Sequence, residues 1–271
     1  MKKILLSAML VLAALASNAQ GTVPLYQDET QPIEARVKDA LSRMTLEEKC
    51  RIVYAQSKFS SPGVARLGIP ELYMSDGPHG VRMEINWNDW GHSNWTNDAC
   101  TAFPALTCLA ATWNPDMAAL YGKSVGEEAR YREKDVLLGP GVNIYRTPLN
   151  GRNFEYMGED PYLSGRMAVQ YVRNVQKNGV AVCVKHFCLN NQEYSRHTVS
   201  SNADERTINE IYFPTFRKAV ENGVGAIMTS YNGVNGVHAA ENAWLIKHNL
   251  REKWGFQGLV MSDWVSNYTP I

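Results

Sequence analysis

A chain of 271 residues in which 27 basic side chains balance 27 acidic ones has no global field to favour nucleic acid or an anionic membrane. It is long enough for one large core or two small ones. Five cysteines (Cys50, Cys100, Cys108, Cys183 and Cys188) match no zinc or redox spacing, so free buried thiols are expected, with Cys100 to Cys108 as the alternative of a single disulfide.

The first twenty residues, MKKILLSAMLVLAALASNAQ, carry two lysines, an apolar run and then small residues, the pattern of a cleaved export signal over 1–19. The run is shorter than the roughly 20 residues a bilayer span needs. An exported mature chain, periplasmic or extracellular and not held in a membrane, is therefore expected to begin near Gln20. Next, IEARVKDALSRMTLEEKCRIV has helical spacing, and Thr45 with Glu48 forms a capping box for its second half.

From there, apolar β-prone runs (ELYMSD, ALTCLAAT, DVLLGPGVN, VAVCVKHF, VGAIMTSYN, GLVMSDW) alternate with helical segments (PDMAALYGKSVGEEARYRE, LSGRMAVQYVRNVQKNG, DERTINEIYFPTFRKAVENG, NAWLIKHNLREKWG). Gly179, Gly223 and Gly255 close three of the helices. Strand and helix in alternation argue an α/β fold with a parallel sheet. Asp76, Asn143, Lys185 with His186, Tyr231 with Asn232, and Asp263 all fall where an apolar run finishes, as at the active end of a (β/α)8 barrel. A doubly wound sheet would gather ligands mainly at one switch point. About six strands are clear, with a further one near RIVYAQ, so residues 20–271 are expected to form a (β/α)8 TIM-barrel-like domain incomplete at its C-terminal end.

Trp87, Trp90 and Trp95 share a polar loop with Asn86, Asn88, Asp89, His92 and Asn94, a combination suited to the apolar face and hydroxyl rim of a neutral sugar. The plainer reading is a loop pinned to the surface by its own indoles. Lys185 and His186 cannot both point inward from a regular strand, so the strand is expected to end or twist between them, and with Arg196 they would clamp vicinal hydroxyls. Alternatively, Lys185 and Arg196 pair with Glu193 or Asp204 at the rim. Arg152, among Glu155, Glu159 and Asp160, reads as a donor fork held by acids or as ordinary loop architecture. Asp76, before Gly77 and Pro78, is either a ligand-facing carboxylate or a turn cap. Asp263 can attack an anomeric carbon, given a second carboxyl about 5–5.5 Å away, or else cap the next helix. The strand ends offer no histidine cluster at metal-ligand spacing, so no metal or cofactor is expected. Lys185 as a Schiff-base lysine of a barrel aldolase is a further alternative.

SDGPHGVR, GPGVNIYRTPLNGRNFEYMGEDPYLSG, VKHFCLNNQEYSRH, MTSYNGVNG and GLVMSDW, in this order, resemble the amino-terminal barrel domain of glycoside hydrolase family 3, especially its β-glucosidases, from about Leu25 onward. The resemblance implies that Asp263 is the catalytic nucleophile and that Asp76, Arg152, Lys185, His186 and Arg196 surround the non-reducing-end sugar. It places Tyr231 near the nucleophile, Met228 in the pocket lining and Trp264 beside the scissile bond. Asp76 in this motif resembles hexose-specific members, favouring glucose over xylose. The family's acid/base glutamate comes from a following sandwich domain, so this chain is expected to hydrolyse oligosaccharides or aryl glucosides weakly. The alternatives are a sugar-binding pseudoenzyme and a β-xylosidase.

Overall fold

The computed structural model describes residues 23–95 and 98–266; the predicted signal segment lies outside them. The described residues fall into two compact units, 23–55 with 62–70, and 56–61 with 71–266. In the first unit, helices Ile33–Arg43 and Leu46–Ile52 follow one another, the second started by the expected capping box between Thr45 and Glu48. That cap draws Arg51 and Ile52 into the helix, so RIVYAQ contains no strand, contrary to expectation.

The second unit contains nine strands: β1 Ser60–Ser61, β2 Leu72–Asp76, β3 Val136–Leu138, β4 Ala181–Phe187, β5 Ser200–Ser201, β6 Ala226–Thr229, β7 Gly233–Val234, β8 Val237–His238 and β9 Leu259–Met261. A six-stranded sheet runs β1-β2-β3-β4-β6-β9, parallel throughout except for the antiparallel β1 edge. Helices separate the parallel strands in the expected barrel-like α/β order. The short strands β5, β7 and β8 form a second sheet.

ALTCLAAT is a helix, Leu106–Ala111, not a strand. Its buried residues Leu106, Leu109 and Ala110 stand at helical spacing, and alanine and leucine outweigh its single β-branched residue, Thr107. β1, which no sequence pattern marked, brings the sheet to six strands as its antiparallel edge. Gly179, Gly223 and Gly255 end their helices at φ of 74°, 76° and 67°, the left-handed conformation expected of such caps. All five cysteines are unpaired. Cys183 and Cys188 are buried as expected, but Cys50 and Cys108 are exposed, and Cys100 is not bridged to Cys108. No helix among the described residues is long and apolar enough to cross a membrane.

The main core lies between the sheet and its helices, where Phe187 packs on Phe213, Phe216 and Trp254. A smaller cluster on the other face of the sheet holds Val136, Leu138, Cys183, Ala226 and Met228, with Met74, Met261 and Trp264 against it. This alternation along each strand sends one set of side chains outward to the helices and the other inward below the site. Helices Pro115–Tyr131 and Pro161–Gln176 approach closely through Gly122 and Gly126, where an added Cβ would meet Tyr171 O at 2.6 Å and Val175 Cα at 2.9 Å. Gly122→Ala is therefore expected to cost about 1–3 kcal/mol through forced backbone separation. Urea unfolding measures it, and an unchanged midpoint would contradict the packing.

Candidate active site

Every parallel strand of the six-stranded sheet ends at one cavity of about 230 Å³ or sends the following loop to it. Asp76 is the last residue of β2, and Lys185 and His186 lie near the end of β4. Met228 belongs to β6, and Tyr231 follows it by two residues. Asp263 and Trp264 come just after β9. Arg152 leads into the short helix Asn153–Glu155 in the loop after β3, and Arg196 comes from the loop after β4. All nine sequence-predicted residues line this one cavity.

Lys185 and His186 both reach it because β4 breaks register between Val184 and Phe187. The expected irregularity therefore falls where the two adjacent side chains require it. Lys185 is 3% exposed, and its Nζ lies 2.8 Å from Asp76 Oδ1 and 3.3 Å from Glu155 Oε1. Its partners are thus not Glu193 or Asp204, because β4 directs the ammonium into the sheet's interior, away from the rim. Asp204 instead caps a helix through the Thr207 N–H. Arg196 does pair with Glu193, at 2.8 Å.

Arg152 forms the expected fork, Nε to Glu155 Oε2 at 2.7 Å and Nη2 to Glu155 Oε1 at 2.9 Å. Neither Glu159 nor Asp160 holds it; Asp160 caps helix Pro161–Gln176. The same Nη2 stands 2.9 Å from His186 Nε2. A guanidinium has no acceptor, so Nε2 must carry the lone pair, and Nδ1–H donates to the Tyr156 hydroxyl at 3.0 Å. Burial, then the Arg152 and Lys185 charges, holds the imidazole pKa well below its usual value, so this ring stays neutral.

Two carboxylates in the cavity have opposite environments. Burial works against ionisation of Asp76, but the Lys185 charge and hydrogen bond outweigh it and hold the carboxyl below its ordinary pKa. Asp263 lacks such a partner. Its Oδ1 accepts from the Trp264 N–H at 2.8 Å, while Oδ2 is buried with no hydrogen-bond partner, 3.5 Å from the lone-pair-bearing His186 Nε2. Burial raises its pKa, only partly offset by the Lys185 charge, the Trp264 N–H, the Arg152 charge and the nearby Tyr231 hydroxyl, which approaches the carboxylate without a hydrogen bond of ordinary geometry to Oδ2. Asp263 also receives the Ser266 hydroxyl on its backbone carbonyl, but no regular helix among the described residues follows for its side chain to cap. The Tyr231 hydroxyl, raised in pKa by burial and by the Asp263 charge, stays protonated; its ring lies beneath the Arg196 guanidinium at 4.1 Å.

Phe59, Arg82 and Trp90 also line the cavity. Phe59 lies between Trp90, edge to face at a centroid distance of 5.9 Å, and Trp264, tilted at 5.3 Å, and Arg82 lies over both Phe59 and Trp90. Trp90 was legible from its loop, and Arg82 ends the SDGPHGVR motif; Phe59 carried no sequence signal. Four cations, Arg82, Arg152, Lys185 and Arg196, and two acids, Asp76 and Asp263, line the cavity, and Glu155 and Glu193 behind it pair with Arg152, Lys185 and Arg196 and balance the charge. Such a cavity offers many donors and acceptors without net charge, which suits a polyhydroxylated neutral ligand. Among the described residues no group of three or more His, Cys, Asp or Glu side chains is arranged to hold a metal ion.

A parallel strand-helix sheet with carboxylates, cations and aromatics gathered at the strand ends is the architecture of a barrel-type enzyme domain. Residues 65–269 match the model of the glycosyl hydrolase family 3 N-terminal domain, and the chain belongs to that family. It is 63% identical to the β-glucosidase BoGH3A of Bacteroides ovatus, covering 96% of this chain and 35% of that protein. An exo-α-(1→6)-L-arabinopyranosidase of Bifidobacterium longum is 42% identical over 83% of this chain and 30% of its own length. The structure of DesR, a β-glucosidase from Streptomyces venezuelae in complex with D-glucose, superposes with a TM-score of 0.79 at 40% identity, covering 86% of this chain and 29% of that one. The chain spans about a third of the length of these proteins.

The Asp263 environment has a measurable consequence. Because its folded pKa lies above the ordinary 3.8, its ionisation costs nothing below about pH 4. The cost then grows as pH rises towards the raised value and is complete above it. Asp263→Asn, whose amide can donate where the carboxylate oxygen cannot, is expected to stabilise the fold by about 1–3 kcal/mol at pH 7, the margin narrowing towards pH 4. Urea midpoints at the two pH values test this; an Asn variant no more stable than the parent at pH 7 would contradict it.

Proposed function

We propose that this chain carries the sugar-binding and nucleophile portion of a retaining β-glucosidase-type glycoside hydrolase, acting on non-reducing-end β-D-glucosyl residues. The observation that carries the reading is the Asp263 carboxylate at the end of β9, buried in the cavity wall and bonded to no cation, beside a carboxylate, Asp76, that is. The Asp263 carboxylate, with no cation bonded to it, attacks the anomeric carbon to form a glycosyl-enzyme as the bond to the leaving oxygen breaks, and water later releases the sugar. Asp76, fixed as a carboxylate, accepts from sugar hydroxyls, while Arg152, Lys185 and Arg196 donate to them. Neutral His186 offers no positive charge to neutralise the nucleophile. Trp264 and Phe59 supply an apolar wall.

The leaving oxygen needs a protonated carboxyl near the nucleophile. Glu155, held ionised by Lys185 and Arg152 despite its burial, is unsuited to this, and Glu193 is engaged by Arg196 and Arg152. We assign the acid role to no described carboxylate, and we propose that residues 20–271 alone turn substrate over weakly. The first twenty residues support export to the periplasm or beyond. The Schiff-base alternative is disfavoured because Asp76 and Glu155 hold Lys185 firmly protonated against the cost of its burial. The arabinopyranosidase relative favours a second reading, a pentopyranosidase.

Calorimetry with glucose or gluconolactone, beside assays on aryl β-glucosides, β-xylosides and α-L-arabinopyranosides, tests the reading. Asp76→Asn is expected to weaken glucose binding about 10- to 100-fold by removing a charged acceptor. Unchanged affinity, or a clear preference for either pentoside, would overturn the glucose assignment; binding without any turnover would support a sugar-binding pseudoenzyme.

A further inference from the structure

The tryptophan loop divides between two cavities. Trp90 faces the carboxylate cavity, whereas Trp87 and Trp95 line a second, larger cavity of about 470 Å³. This second cavity is also walled by Tyr73, at the start of β2, and Tyr131, at the end of helix Pro115–Tyr131. Trp87, Trp95 and Tyr131 are 51%, 63% and 88% exposed. Large aromatic side chains ordinarily bury most of their surface, and a group of them lining one open cavity marks a binding surface.

The polar groups of the wall narrow the ligand class. Three cations, Lys58, Arg132 and Lys134, face three acids, Glu84, Asp98 and Glu133. Most of these charges are already spent on one another: Arg132 pairs with Asp98 and lies 3.5 Å from Glu84, and Lys134 Nζ is 2.6 Å from Glu84. A charged ligand therefore gains no net attraction there. Hydrogen-bonding capacity remains in Lys58 and Glu133, which line the cavity outside these pairs. Aromatic faces beside a neutralised polar wall with a spare donor match the C–H faces and hydroxyl rim of sugar rings. The volume lies within the roughly 300–1,000 Å³ of ordinary ligand cavities.

We infer that this cavity is a second carbohydrate site, which binds a segment of a neutral oligosaccharide through Trp87, Trp95 and Tyr131. It is distinct from the carboxylate cavity, but Phe59 lines both. The neighbouring Lys58 ties the walls together: its N–H donates to Trp87 O at 3.1 Å, and its carbonyl accepts from Trp264 Nε1 at 2.9 Å. The inference does not rest on hydrolysis at Asp263, since it concerns other side chains and requires no reaction.

Cellotetraose binding to the full chain tests it in an Asp76→Asn background, where glucose binding reports the carboxylate cavity separately. The Asp76→Asn protein is expected to retain cellotetraose binding, and adding Trp87→Ala with Trp95→Ala is expected to weaken it by about tenfold or more. The same tryptophan changes in the parent chain should leave glucose affinity unaltered. Tyr131→Ala, at a largely solvated position where refolding is not at stake, should weaken tetraose binding by itself. Failure of the Asp76→Asn protein to bind cellotetraose, or equal tetraose affinity with and without these aromatics, would overturn the second site whatever the outcome with glucose.

Discussion

The ammonium of Lys185, buried between the carboxylates of Asp76 and Glu155, is the interaction on which the site depends. Asp76 ends β2 and Lys185 comes from β4, while Glu155 belongs to the loop after β3. One charge thus joins two strand ends and the loop rising between them. Glu155 then fixes Arg152, which in turn sets the tautomer of His186. Removing Lys185 or Glu155, both buried, is expected to cost about 3–5 kcal/mol, because the other charge is left without compensation. Asp76, whose side chain is 41% exposed, is the member whose replacement water and Glu155 can offset.

The same network separates the two cavity carboxylates. Asp76 is paid for by an adjacent cation, and its ionised state is stable. Asp263 lies within the field of Lys185 but makes no bond to it, and its Oδ2 faces a neutral ring nitrogen that also carries a lone pair. A carboxylate held by several cations would be a poor nucleophile; one with few partners costs the fold more. On the proposed role of Asp263, stability and reactivity therefore oppose each other there.

Much of this was legible in the sequence because a parallel sheet buries its strands and exposes their ends. Apolar runs that stop at Asp76, Lys185, Tyr231 and Asp263 could be read directly, and so could the glycine caps. ALTCLAAT misled because a short apolar run looks alike as strand or buried helix; the spacing of Leu106, Leu109 and Ala110 held the answer. The pairing of Lys185 was missed because Asp76 is 109 residues away, and only the sheet brings them together. Phe59 sits in a segment without pattern, and its place between Trp90 and Trp264 follows from β1 pairing with β2. The division of the three tryptophans between two cavities depends on how their loop folds back, with Asn86 N–H bonded to Gly91 O, which composition does not encode.

The most direct test of the account is covalent trapping. Incubating the protein with a 2-deoxy-2-fluoro-β-glucoside bearing an activated leaving group reduces the need for acid assistance and slows release of the glycosyl-enzyme. Peptide mapping by mass spectrometry should then place the fluoroglucosyl adduct on the peptide containing Asp263, with no adduct in the Asp263→Asn variant. An adduct on another carboxylate, or unchanged labelling of the variant, would contradict the assignment of Asp263 as the attacking group.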